Sequence, residues 1–220
     1  MAVITRRLIY SGLGIFSIFL LLNFPRNALA VECFSSPPSV EEGRGVFDAV
    51  EPRDLVDGEF QSLEELFKSL AGRWTGKAEI ETCRDTGDEI VTENEELSIE
   101  SKIDFRHSGE FSIISALSSR QKNTKYQYDI RLCLDRNRLS TVCNMAVSDI
   151  ELNTATNDKL QYVHKAFRRP NRSSGELGAN KVQETITDIQ KTGDTSFTIE
   201  RLIYLQGKLT IRETYKLEMK

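Results

Sequence analysis

Two segments near the C-terminus carry the side chains best suited to chemistry, an arginine and an acid at positions where apolar residues are expected. Apolar residues alternate along 197–205 and 209–217, which predicts two paired strands with one buried face. Arg201 and Glu213 fall on that buried face. A charge removed from water is costly unless it is paired, so these two side chains are expected to form an ion pair inside the fold.

The register of these two strands depends on the loop that joins them. A three-residue loop centred on Gly207, which supplies the positive φ, places Arg201 opposite Glu213. A two-residue Gln206-Gly207 turn would instead set Arg201 against Arg212, which like-charge repulsion disfavours. The favoured register also matches four apolar pairs, namely Leu205 with Leu209, Ile203 with Ile211, Ile199 with Tyr215, and Phe197 with Leu217.

The preceding strand adds a second acid to this ion pair. A turn at Thr192-Gly193 sets Glu184 beside Arg201, so the sequence predicts an inward triplet of Glu184, Arg201 and Glu213. An arginine with an acid on either side is chemically coherent in a buried position.

Two interpretations of this triplet follow. It is a structural ion cluster whose members only satisfy one another, or it is the polar floor of a ligand cavity. In the second case Arg201 would bind a carboxylate or carbonyl group, with Tyr215 nearby and Tyr128 lining the same interior. What separates the interpretations is whether the space between Tyr128, Ile199 and Tyr215 is open or filled by side chains.

Catalytic and metal-binding patterns are weak by comparison. His107 lies in a turn and His164 in the middle of a strand, and neither has a serine, cysteine or acid at a recognisable motif spacing. An enzyme is therefore the less favoured class, although a triad assembled only by the fold would not be visible as a motif. Without a Cys-x-x-Cys motif no metal site is predicted, and the sequence identifies no cofactor.

The four cysteines predict two disulfides in a chain sent to an oxidising compartment. Cys133 and Cys143 flank an evident hairpin at 135–138, which favours their pairing and leaves Cys33 to pair with Cys83. The two hairpin cysteines are out of phase in the alternation, so a β-bulge is expected in one strand.

The first thirty residues have the pattern of an export signal. Arg6 and Arg7 precede an apolar run at 13–24, and Ala28-Leu29-Ala30 supplies the small residues of a cleavage site. The run is shorter than the roughly 20 residues of a spanning helix. Residues 1–30 are therefore predicted to be a signal peptide, and the mature chain is expected in the periplasm, the thylakoid lumen or the extracellular space. A twin-arginine signal is an alternative, whereas Glu32 disfavours a lipid anchor at Cys33.

The remainder of the chain predicts an all-β domain. Residues 31–61 form an extended arm rich in proline, glycine and acids, and a short helix follows at 62–70, with Ser62 and Glu65 as a capping box. The domain 62–220 continues with segments of period two and closes most economically as an antiparallel up-and-down barrel of about eight to ten strands. The predicted strands are 74–84, 89–106, 110–118, 125–134, 139–151, 159–167, 181–190, 196–205 and 208–218.

Two short motifs resemble those of lipocalins and their calycin relatives. A helix running into Gly72-Arg73-Trp74 at the start of the first strand resembles the lipocalin Gly-x-Trp, and Thr187-Asp188-Ile189 resembles the later Thr-Asp-Tyr motif. The resemblance implies a lipocalin-like barrel in which Trp74 plugs one end beneath an arginine or lysine of the last strands. Under that implication Arg201 could also serve as the cation that covers Trp74.

The distribution of charge limits the classes of partner that the protein is expected to bind. The chain carries 33 acidic and 29 basic residues, so a general nucleic-acid binder is not expected. Arg168, Arg169 and Arg172 form a basic hairpin tip that could meet an anionic protein or a membrane surface. The favoured function is an exported barrel that binds a small apolar or amphiphilic ligand in its interior. The alternative is a non-catalytic scaffold or assembly protein that acts through its arm and basic loop.

Overall fold

The computed structural model describes residues 32–119, 124–135, 137–168 and 181–220, without the side chains of Thr124 and Arg168. The predicted signal peptide lies outside these residues. The described part contains ten antiparallel strands that form a nearly closed barrel, with two short helices. Within it, neither helix has the length and apolar character needed to cross a bilayer. The elements are α1 (Pro38–Glu41), α2 (Glu59–Leu70), β1 (Gly72–Asp85), β2 (Ile90–Phe105), β3 (Glu110–Ser119), β4 (Thr124–Asp135), β5 (Arg138–Ser140), β6 (Ile150–Ala155), β7 (Lys159–Arg168), β8 (Lys181–Gly193), β9 (Ser196–Leu205) and β10 (Lys208–Met219).

The predicted all-β up-and-down architecture is confirmed. The sheet has the order β5-β4-β3-β2-β1-β10-β9-β8-β7-β6, so strands that follow one another in the chain pair, except β5 and β6, and β1 also pairs with β10. One predicted strand is wrong, because 139–151 divides into the short β5 and a separate β6. These two strands are the edges of the sheet, and the connection 141–149 joins them where the barrel is not closed by strand pairing.

Helix α2 fills one end of the barrel. Leu63, Leu66, Phe67 and Leu70 are almost fully buried on its inner face, and the Phe67 ring stacks on Phe111 with centroids 4.1 Å apart. A fully buried side chain of this size contributes about 1.5–3 kcal/mol, so the helix is held by packing more than by helix propensity.

The start of α2 differs from the expected capping box. The helix begins at Glu59 after Gly58, which has a φ of 87° and offers no side-chain cap. The Glu59 carboxylate accepts hydrogen bonds from the Val56 backbone N–H at 2.8 Å and from the Arg53 guanidinium at 2.7 Å. The acid that begins the helix therefore organises its entry, and Ser62 lies within the helix.

The N-terminal arm folds back onto the outside of the barrel. Phe34 donates its backbone N–H to the Leu209 carbonyl, and Leu209 donates to the Ser35 carbonyl, which attaches the arm to β10. Farther along, the Arg44 guanidinium and the Glu51 backbone N–H donate hydrogen bonds to the Glu151 carboxylate on β6. The arm is therefore not simply extended, since it contains the one-turn helix α1 and covers the outer face of β6 to β10.

Both predicted disulfides are present. Cys33 is bonded to Cys83 with a Cα–Cα distance of 5.6 Å, which ties the arm to β1. Cys133 is bonded to Cys143 with a Cα–Cα distance of 5.1 Å. The expected bulge is unnecessary, because Cys143 lies in the connection after β5 and is free of the strand alternation.

The hairpin between β9 and β10 has most of the predicted residue pairs, but its turn differs from the predicted three-residue loop. Gln206 and Gly207 form a two-residue turn with φ values of 53° and 73°, so Leu205 pairs with Lys208 instead of Leu209. A bulge between Leu209 and Ile211 then restores the register. The other predicted pairs are confirmed, namely Ile203 with Ile211, Arg201 with Glu213, Ile199 with Tyr215, and Phe197 with Leu217.

Candidate ligand site in the barrel interior

Glu184 is not a member of the interior cluster. Strand β8 continues to Gly193 and has a register shift between Lys191 and Gly193, so Arg201 pairs with Thr187 and Glu184 pairs with Tyr204. The change moves Glu184 to the outer face, where it is buried beneath the arm and bound to Lys165. The predicted triplet is therefore wrong in its first member.

The predicted pair of Arg201 and Glu213 lies inside the barrel. Arg201 Nη1 donates to Glu213 Oε2 at 2.6 Å, and Tyr215 Oη donates to the same oxygen at 2.8 Å. Tyr128 reaches across from β4, and its ring stacks on Tyr215 with centroids 5.1 Å apart. The Arg201 guanidinium lies 4.7 Å from the centre of the Tyr128 ring, within cation–π range. The sequence thus identified four groups that the fold brings together.

Burial fixes the protonation of this cluster. It raises the pKa of Tyr128 well above its usual value, and burial together with Glu213 raises the pKa of Tyr215. Burial lowers the pKa of Arg201, but Glu213 and the three surrounding tyrosines together raise it more, so its pKa lies above the ordinary value. At neutral pH the site therefore contains two neutral phenols and one guanidinium.

Two polar atoms of the cluster lack partners. Tyr128 Oη and Arg201 Nε are buried without a hydrogen bond to any described residue. A buried polar group left unsatisfied costs about 1–3 kcal/mol. Both groups carry a hydrogen, so they could donate to an oxygen of a bound molecule.

The space between Tyr128, Ile199 and Tyr215 is filled, since the two rings stack and Ile199 and Tyr215 are each 1% exposed, so a ligand would have to lie beyond this layer. Toward α2 the interior is filled, since Trp74 donates its indole N–H to the Leu70 carbonyl at 2.8 Å and packs edge-on against Phe197. Arg201 lies four residues farther along β9, about 13 Å from Phe197 at 3.3 Å per residue. The Arg201 and Glu213 side chains remain 18% and 14% exposed, so solvent approaches them from the end away from α2.

A histidine and an acid that the sequence did not connect also face this interior. His164 on β7 lies with Nε2 3.7 Å from Asp149 Oδ2. Asp149 belongs to the connection before β6, where no alternation could have signalled its position. Burial lowers the pKa of His164, Asp149 raises it, and Arg201 lowers it, with a net value below 6.5.

The lowered pKa of His164 predicts a pH-dependent stability. Below about pH 6.5 the unfolded histidine takes up a proton that the folded one resists, so the free energy of unfolding should fall as the pH drops toward the folded pKa. His164→Asn should reduce this dependence in urea titrations between about pH 7 and pH 5. His107→Asn, in an exposed turn, is the matched control. An unchanged pH dependence in His164→Asn would contradict the assignment.

The remaining predicted groups, namely Trp74 and the basic hairpin tip, lie apart from the interior cluster or outside the described residues. Trp74 is buried next to α2, as described, whereas Arg201 makes its cation–π contact with Tyr128. No cluster of three or more metal-binding side chains occurs among the residues that the structure describes. Arg168 ends β7, and the rest of the predicted basic tip, Arg169 and Arg172, lies outside the described residues.

Comparisons with known proteins give structural resemblance at low identity. No family model matches the sequence, and no curated protein matches it. An S-type phycobiliprotein lyase from Guillardia theta is 13% identical, with a TM-score of 0.44, over 74% of this chain and 95% of that chain. A protein of unknown function from the DUF3598 family of Nostoc punctiforme is 10% identical, with a TM-score of 0.44, over 70% of this chain. The chain spans about half of that second protein, covering 49% of it.

Proposed function

We propose that the protein binds a small amphiphilic molecule in the open end of the barrel, with an acidic or carbonyl head group at Arg201 and Tyr128. The observation that carries the proposal is the pair of buried donors without a partner, Arg201 Nε and Tyr128 Oη. A carboxylate oxygen would satisfy them and would be attracted by the guanidinium. The proposal includes no catalytic step.

An apolar body is favoured by the side chains around the polar layer. On β9 the inward neighbours of Arg201 are Ile199 and Ile203, and Leu205 at the end of the strand is 42% exposed. Ile80 on β1 pairs with Glu213 and is partly buried against the core. Ile199 and Ile203 are already buried, so the apolar surface available to a ligand is mainly that of Leu205, and removing it from water contributes about 25 cal/mol per Å².

We also propose that the mature protein acts outside the cytoplasm. Two disulfides in one domain of this size are typical of an oxidising compartment, which agrees with the predicted signal peptide. The scaffold alternative gains no support from the arm, because its cysteine and its polar groups are bonded to its own barrel.

Tyr128→Phe tests the ligand site. Removing a buried hydroxyl that has no partner should raise the free energy of unfolding by about 1 kcal/mol in the ligand-free protein. The same change should weaken binding of cis-parinaric acid, an apolar carboxylate whose fluorescence reports its surroundings, by at least about fivefold, or about 1 kcal/mol. Unfolding is measured in urea and binding by fluorescence titration.

The matched control is Tyr162→Phe. Burial raises the pKa of Tyr162, whereas its hydrogen bond with Thr187 lowers it, with the net pKa above the usual value. Because this hydroxyl has a partner, its loss should destabilise the fold by about 1 kcal/mol, the opposite sign from Tyr128→Phe. A Tyr128→Phe protein that binds cis-parinaric acid as tightly as the original would exclude the Tyr128 contact.

A further inference from the structure

A groove of about 590 Å³ crosses the outer surface of β1 to β4, on the other side of the sheet from the barrel interior. Its volume lies within the range of about 300–1,000 Å³ that is common for small-molecule sites. The arm covers the outer face of β6 to β10 and leaves this part of the sheet open. None of the polar groups of the interior site belongs to its lining.

The groove is basic although the protein is acidic. Its lining contains four basic side chains and one acid, Glu100, whereas the whole chain has a formal net charge of −4. The basic side chains are Arg73, Lys102, Lys125 and Lys220. A concave surface of one sign concentrates ligands of the opposite sign.

Two of these cations are not neutralised within the part of the chain that the structure describes. Lys102 is paired with Asp104 at 2.7 Å, and Lys220 lies 3.7 Å from Glu100. Arg73 on β1 and Lys125 on β4 have no carboxylate partner among those residues. The unpaired charges therefore lie on the two outermost strands of the groove. They are about 14 Å apart across the strands and about 13 Å apart along them, because Arg73 is level with Asp129, four residues from Lys125.

Apolar surface lies between the two cations. Ile114 on β3 is 39% exposed on the outer face, and Ala116, two residues farther along the same face, is also exposed. Ala116 pairs with Glu100 on one side and with Gln127 on the other. Its side chain is shorter than theirs, so the floor of the groove is deepest at this central position. A flat organic group could rest there while its acid reaches Lys125 on the adjacent strand.

We propose that this groove binds a small organic anion with an apolar body, independently of the interior site. The apolar body would lie on Ile114 and Ala116, and the anionic group would pair with Lys125, two residues from the Ala116 partner Gln127 on the adjacent strand. Charge complementarity favours an anion, and the groove volume of about 590 Å³ matches that of a small-molecule site.

The probe is 1-anilinonaphthalene-8-sulfonate, an aromatic sulfonate whose fluorescence rises in apolar surroundings. Saturable binding is expected for the full mature chain. Lys125→Glu should raise the Kd by at least about fivefold, because an attraction becomes a repulsion. Ala116→Trp should do the same by filling the central part of the groove. Controls are Ala116→Ser and Lys68→Glu, the latter a 61% exposed residue of α2 outside the groove.

The unfolding midpoint shows whether a variant still folds, and the Kd of the probe shows whether it binds in the groove or elsewhere. Both test positions are exposed on the outer face, so the variants should keep the unfolding midpoint of the parent protein. If either variant raises the Kd by less than about fivefold, or if the parent shows no saturable binding, the proposal is wrong. Binding of the probe only inside the barrel gives that result, since neither substitution changes the interior.

Discussion

Replacing Lys165 with methionine is expected to lower the free energy of unfolding by about 3–5 kcal/mol, the usual cost of removing one member of a buried ion pair. Lys165 Nζ lies 3.0 Å from Glu184 Oε2 and 3.0 Å from the Asp48 carbonyl, which it donates to. The two charged side chains are only 2% and 4% exposed. Ser39 also donates to both carboxylate oxygens, at 2.9 and 3.1 Å.

This cluster lies where the arm covers the barrel. The cluster joins two residues of the arm, Ser39 and Asp48, to Lys165 on β7 and Glu184 on β8. Loss of the ion pair should therefore destabilise the attachment of the arm before it destabilises the barrel. Without Lys165, Glu184 would remain a buried charge with a hydroxyl as its remaining donor. Urea unfolding gives the size of the loss, and hydrogen exchange should show the arm opening before the barrel.

The control is the double variant Lys165→Met, Glu184→Leu. Removing both charges replaces the pair by apolar groups of similar volume, which is often neutral, so the double variant should recover most of the stability that the single variant loses. If the single variant loses less than about 1 kcal/mol, the pair is not what holds the arm.

Alternation predicted the strands because period two is a direct consequence of one face being buried. The segments around Ile99, Ile113 and Ile130 are buried on the expected face. The splitting of 139–151 was not visible, because the connection there contains apolar residues in phase with Leu139, namely Met145 and Val147, which are 38% and 63% exposed. Their phase matched a strand although no partner strand lies beside them.

Register was harder to predict than strands, since bulges leave no mark in an alternating pattern. On β8 the actual turn lies at Asp194-Thr195, and this turn together with a one-residue shift near Thr192 changes the pairing by three residues. An odd shift moves every side chain to the other face. Glu184 was therefore expected in the interior but is buried outside, under an arm whose path no period in the sequence could reveal.

The hairpin of β9 and β10 shows why the Arg201–Glu213 pair was nevertheless predicted. The two-residue turn alone would have set Arg201 against Arg212, and the bulge at Thr210 removes that conflict. Thr210 Oγ1 donates to the Ile203 carbonyl at 3.0 Å, which gives the extra residue a partner. The matching of apolar and charged pairs thus predicted the register of β9 and β10 better than the assumed loop length did, because the turn adopts the conformation that satisfies the pairs.

Arg201→Gln should combine a large loss of stability with a loss of ligand binding. Glu213 would lose its cation in a position that is 14% exposed, which is expected to cost about 3 kcal/mol, the lower end for a buried pair. The Tyr215 hydroxyl would still donate to Glu213 at 2.8 Å, so the barrel should fold. Binding of cis-parinaric acid, measured below the unfolding transition, should disappear with the guanidinium.

Glu213→Gln separates the structural role of the pair from the ligand role. This variant also breaks the ion pair, so its free energy of unfolding should fall by a similar amount, about 3 kcal/mol. It leaves Arg201 charged and without a competing carboxylate, so cis-parinaric acid should bind at least as tightly as it does to the parent protein. An Arg201→Gln protein that binds the acid normally would refute the ligand site. Only Arg201→Gln removes the guanidinium that would recognise an acid. If both variants lose binding to the same extent, the loss follows from breaking the ion pair, and the pair serves the fold alone.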